Sequence, residues 1–102
     1  MNLQEMMRQA KKMQAKMEKV QSELAEKTVE GSAGGGMVTV TANGAQQIVS
    51  VQVDKEVVDP EEVEMLQDLF VAAANQALQR AGEMMKEEMG KVTGGMGLPG
   101  MF

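Results

Sequence analysis

Apolar residues recur along the first quarter of the chain in alternating steps of three and four: Leu3, Met6, Ala10, Met13, Met17, Val20 and Leu24. The spacing is a heptad seam, with Leu3, Ala10, Met17 and Leu24 at a and Met6, Met13 and Val20 at d. It predicts a helix over residues 2–27, opened by Asn2 as its cap. From Leu3 to Leu24 such a rod measures roughly 33 Å. It cannot bury its seam inside so small a chain. It wants a partner helix, from the end of this chain, from a second copy, or from both.

The period then changes. Thr28 and Val29 are β-branched and mark the passage to strand, over residues 28–32. Gly34-Gly35-Gly36 is a turn. Residues 37–42 alternate, with Met37 as the exception, and predict a second strand, and Asn43-Gly44 signals a two-residue hairpin turn into a third, over 46–54. With that loop Ala42 opposes Ala45, Val40 opposes Gln47 and Val38 opposes Val49. Val38, Val40 and Ala42 then share a face with Val49, Val51 and Val53.

Asp59-Pro60-Glu61-Glu62 carries the marks of a helix start: a cap, a proline at the first helical position and an acid three after the cap. It predicts a second helix over residues 60–89. Leu66, Phe70, Ala73, Ala77 and Ala81 form its apolar stripe, with Leu69 and Met84 beside it. The alanines allow close approach to the valine face. The fold class is α+β: a helix, a three-stranded antiparallel meander and a helix, in one domain over residues 1–92. Residues 93–102, rich in Gly and Met, read as a flexible tail.

Size changes how this pattern can be satisfied. A chain of 102 residues with two aromatics, Phe70 and Phe102, and 12 Met has a modest core to build. Self-association into a homodimer adds the buried area it lacks. Chemistry is limited in the same way. The chain has no Cys and no His, so the commonest nucleophiles, bases and transition-metal ligands are missing. The expectation is a non-enzyme with no cofactor and no metal. Gly31–Gly36 lacks the Lys-Ser/Thr ending of a phosphate loop and precedes a strand. No apolar run approaches a bilayer span and no signal-peptide core opens the chain, so the expected setting is cytoplasmic, with no membrane partner.

Charge is the one functional feature that the residues supply. The formal net charge of −5 is uneven. Residues 1–20 carry Arg8, Lys11, Lys12, Lys16 and Lys19 against Glu5 and Glu18, whereas residues 54–90 are strongly acidic. Lys12, Lys16 and Lys19 line one side of the first helix; Arg8 continues that side and Lys11 lies next to it. A solvated coiled-coil flank explains these cations, and so does an anion-binding arm. If the anion is nucleic acid, the mode is restricted. With no Tyr or Trp, and neither Phe near the arm, stacking on single strands is disfavoured. What remains is lysine-rich contact to duplex phosphates with weak sequence preference.

Taken as a whole, the chain resembles the YbaB/EbfC family of bacterial nucleoid-associated proteins. The resemblance rests on the order and spacing of several runs. They are Met6-Met7-Arg8-Gln9-Ala10-Lys11-Lys12-Met13-Gln14; Val29-Glu30-Gly31; Gly34 through Thr41; Asn43-Gly44; Asp59 through Leu69; Ala72 through Ala77; and Gly94 through Phe102. It implies a tweezer-like homodimer with helices protruding from a central sheet. It also implies binding of double-stranded DNA, a change in DNA conformation, and a role in nucleoid organisation and gene regulation. DNA contact falls on Arg8, Lys11, Lys12, Lys16 and Lys19, with Arg80, Lys86 and Lys91 on the acidic second helix as weaker candidates. The alternative is a protein-interaction module whose Met-rich helices dock a recombination or replication partner.

Overall fold

Asn2 opens the first helix as expected: its side-chain Oδ1 accepts the Glu5 amide at 2.8 Å. The computed structural model describes residues 2–94. In chain order it contains helix α1 (Leu3–Glu26), strands β1 (Thr28–Ala33), β2 (Val38–Asn43) and β3 (Ile48–Val53), a single 3-10 turn at Lys55–Val57, and helix α2 (Val63–Gly94). The strands form an antiparallel sheet in the order β1-β2-β3. Gly34, Gly35 and Gly36 make the first turn, all at positive φ.

The core lies between β2 and the alanine stripe of α2. Val38, Val40 and Ala42 are fully buried against Ala73, Ala77 and Ala81. The helix runs so close to β1 that a Cβ on Gly31 would meet the Ala73 carbonyl oxygen and the Ala77 amide nitrogen, backbone against backbone. No side chain on α2 can yield there, so only glycine fits.

Three expectations need correction. The hairpin register differs: Val38 pairs with Val53 and Val40 with Val51, not with Val49 and Gln47. The loop has three residues, Gly44-Ala45-Gln46. The Gln46 amide donates to the Asn43 carbonyl at 2.9 Å and the Asn43 amide to the Gln47 carbonyl at 2.9 Å, with Gln46 at φ 60°. This is a type I turn followed by a left-handed residue. The buried Asn43 side chain stabilises it by accepting the Ala45 and Gln47 amides at 3.0 and 3.1 Å. A bulge between Thr41 and Ala42 takes up the extra residue. The displacement is even, so Val51 and Val53 keep the face of Val38 and Val40.

Second, α2 covers β1 and β2 and leaves β3 largely bare. Val49, Val51 and Val53 are 53, 41 and 40% exposed, and Phe70, expected in the core, is 38% exposed. Third, α2 is displaced toward the C-terminus. Asp59 Oδ1 accepts the Glu61 amide and its carbonyl accepts the Glu62 amide, so Asp59–Glu62 is a turn ahead of a helix that starts at Val63. The helix passes Met89 and reaches Gly94. Residues 95–102 of the expected tail lie outside the described residues.

Helix α1 leaves the sheet beside the last turns of α2, and the protein is elongated. The extents are 69 × 25 × 16 Å and the radius of gyration is 19.3 Å. A compact chain of this size has a radius of about 13 Å.

Candidate nucleic-acid interface

Helix α1 is anchored by its last turn. Leu24 is its one buried residue. It sits on Gly44, where a Cβ would come within 2.6 Å of Leu24 Cδ2, and the Gly44 amide donates to the carbonyls of Leu24 and Lys27 at 2.8 and 3.0 Å. Gly44 therefore serves as the seat of the helix end, and its amide satisfies carbonyls the helix leaves open. Lys27 Nζ reaches Glu88 Oε1 at 3.3 Å and Lys91 Nζ reaches the same oxygen at 3.4 Å. These hydrogen bonds, Lys27 first, hold the Glu88 carboxyl below its usual range. Between the two helices a cleft of about 250 Å³ is lined by Gln21, Leu24, Ala45, Met85 and Met89.

Beyond that seat the seam comes progressively into the open. Val20, Met17 and Met13 are half-buried, whereas Met6 is 54% and Leu3 71% exposed. The arm is a helix whose outer half has no protein beside it among the described residues.

The five cations lie on this arm. Arg8, Lys11, Lys12, Lys16 and Lys19 are all exposed. Among the described residues none makes an ion pair or a side-chain hydrogen bond; the ion pairs present belong to Lys27 and Lys91. At ~100° per residue, Arg8, Lys12, Lys16 and Lys19 fall within roughly one quadrant of the helix, with Lys11 to one side. The apolar seam lies on the far side of the helix from Arg8, Lys12 and Lys19, and Lys16 borders it. The arrangement is a rod of unpaired positive charge held clear of an acidic body, suited to a polyanion that runs alongside it.

The weaker candidates on α2 fare differently. Arg80 donates to the Glu30 carbonyl at 2.7 Å, and Gln76 Oε1 accepts the Ser32 amide at 2.8 Å. Both groups cover the outer edge of β1, a structural duty that the sequence did not reveal. Lys91 is paired with Glu88. Lys86 lies exposed beside Glu83 in a cleft behind the helix.

Sequence reasoning also missed a bare apolar surface. Val53, Leu66, Gln67, Phe70 and Val71 line an open cleft of about 390 Å³ between β3 and the first half of α2. The outer edge of β3 pairs with nothing among the described residues. No group of His, Cys, Asp or Glu among them is placed to hold a metal ion. No helix among them is long and apolar enough to cross a membrane.

The model of the YbaB/EbfC DNA-binding family matches residues 1–96. The chain is 56% identical over 101 residues to a nucleoid-associated protein of Alkaliphilus metalliredigens, covering 99% of this chain and 89% of that one. It is 57% identical over 102 residues to one of Clostridium novyi, covering 100% and 90%. A third, of Syntrophobacter fumaroxidans, is 58% identical over 95 residues, covering 93% and 86%. Among solved structures, the uncharacterized protein HP0035 of Helicobacter pylori shares the fold. Its TM-score is 0.77 at 23% identity, covering 85% of this chain and 91% of that one.

Proposed function

The chain belongs to the YbaB/EbfC DNA-binding family, and from that premise we propose that it acts as a homodimeric nucleoid-associated protein gripping duplex DNA with its α1 arms. The family is one of DNA-binding proteins and not of enzymes. The observation that carries the reading is the set of five unpaired cations, Arg8, Lys11, Lys12, Lys16 and Lys19, on a helix that stands away from the body. Their partners are phosphates. Lysine is a point charge without the forked geometry that reads a base pair, so sequence preference is weak. Phe70 lines the open cleft with Val53, away from the arm, so no aromatic side chain among the described residues stands by the five cations to stack single strands.

The second copy is supported by an asymmetry of the sheet. The edge of β1 is occupied by Arg80 and Gln76, while the edge of β3 is open beside exposed Val51, Val53, Phe70 and Val71. An unpaired edge beside an apolar face favours strand addition or face-to-face packing by an identical surface. Two arms extending from one body grip a duplex at separated points. Such a grip changes the path of the DNA, and through that path the organisation of the nucleoid and the expression of nearby genes.

A fluorescence anisotropy titration with a duplex in rising salt tests the reading. With ten arm cations per dimer and about half on phosphates, the log–log salt slope is about −4 to −5. Replacing Lys11, Lys12 and Lys16 together by Glu abolishes binding. A flat salt response, or undiminished binding by the triple variant, overturns it.

A further inference from the structure

The seam of α1 and its cations Arg8, Lys11, Lys12 and Lys19 lie on different sides of the same rod, with Lys16 at the border between them. Duplex DNA held by Arg8, Lys12, Lys16 and Lys19 therefore leaves Leu3, Met6 and Ala10 facing away from it. Leu3 is 71% and Met6 54% exposed, so nothing among the described residues covers this part of the seam. The residues flanking the tip in heptad positions e and g are Asn2, Met7, Gln9, Gln14 and Lys16, of which Lys16 alone is charged. The cations Arg8, Lys11, Lys12 and Lys19 occupy the outward positions f, b and c. Two such tips laid seam to seam bring no row of like charges together, and a pair presents its lysines outward on both sides.

We propose that the arm tip docks on the tip of a second copy bound to another duplex segment, so that paired arms bridge two stretches of DNA. This rests on the DNA-binding reading above. The uncovered seam, from Leu3 to Ala10, spans little more than one heptad, short of the three to four that sustain a free-standing coiled coil. Tips do not pair when the protein is free and dilute. On DNA, where each assembly holds more than one arm at high local concentration, the weak contact is sufficient. The short seam thus makes bridging conditional on DNA.

The test uses the full chain with two duplexes, one biotinylated on beads and one fluorescent in solution. Wild type retains the fluorescent duplex on the beads. The L3Q/M6Q variant replaces the seam by a good helix former, so the arm stays helical. It binds a single duplex in anisotropy within about two-fold of wild type, because the phosphate contacts remain. Its capture of the second duplex falls about ten-fold or more. Equal capture by L3Q/M6Q and wild type overturns the proposal, as does wild type that binds one duplex tightly and captures no second. If L3Q/M6Q loses single-duplex binding as well, the seam touches DNA and pairing is overturned. An anisotropy trace that is flat for wild type defeats the DNA-binding reading itself, and bridging with it.

Discussion

Lys27 Nζ stands 3.3 Å from Glu88 Oε1, joining the end of α1 to the far half of α2 across 61 residues of sequence. With Leu24 on Gly44, this pair sets the angle at which the arm leaves the body. Both partners are solvent-accessible, so the contact orients the arm more than it stabilises the fold.

The lowered titration of Glu88 gives that orientation a pH dependence. A carboxylate held below its usual range contributes fully above its unfolded value. The contribution is lost as pH falls through the lowered value. Because the chain has no Cys, nitroxides placed through Gln14→Cys and Gln79→Cys report the arm-to-body distance cleanly. We expect a narrow distribution near neutral pH that broadens below the usual carboxylate range. In the E88Q background the distribution is broad throughout. A wild-type width independent of pH and of Glu88 contradicts this.

Gly31→Ala drives a methyl into the backbone of Ala73 and Ala77. Overpacking without a yielding side chain costs about 3 kcal/mol. Gly35→Ala meets nothing within 4 Å and bears only the strain of φ 69°, about 1 kcal/mol. Urea denaturation of the two variants gives this order; the reverse order contradicts the close helix–strand approach.

Lys12→Ala removes one exposed, unpaired charge from the arm. It flattens the salt slope by about 1 per protomer in contact and weakens binding evenly across sequences. Lys55→Ala, on the body, leaves the slope unchanged. Titrations of several unrelated duplexes distinguish a phosphate contact from a base contact.

Val53→Lys places a charge on the bare surface between β3 and α2, beside Phe70 and Val71. Light scattering then gives the 11.0 kDa mass of a single chain, with far-ultraviolet circular dichroism unchanged. A variant that keeps twice that mass moves the dimer contact elsewhere.

Much of the framework could be read from local pattern. The heptad seam and Asn2 place α1 almost to the residue, because period and cap are properties of a single helix. The alternation in β2 and the glycine turn are local in the same sense. Asn43-Gly44 misled because its glycine has another reason to be there. It makes room for Leu24 rather than for a positive φ, and a pair of letters carries both reasons identically. Asp59-Pro60-Glu61-Glu62 holds cap and turn chemistry at once, and the turn used it. The stripe through Phe70 and the valines of β3 was recognised as apolar. Which strands α2 would cover was not legible, since that follows from Gly31 and the alanines admitting the helix at β1.

The five arm cations were legible as a face of the helix. Their freedom from acidic partners required the structure, and so did the employment of Arg80 on the Glu30 carbonyl. Composition counts charges without saying which are already spoken for.

The two borders of the sheet are unequal, and the inequality limits growth. A sheet able to accept a neighbour along one border can be enlarged once by a twofold-related copy. The new outer borders then both belong to strands whose carbonyl and amide are engaged by Arg80 and Gln76. Those borders are already partly covered by Arg80 and Gln76, so a copy adding along them meets a poorer edge than the open one of β3, which guards a sheet joined along β3 against growing into a fibre.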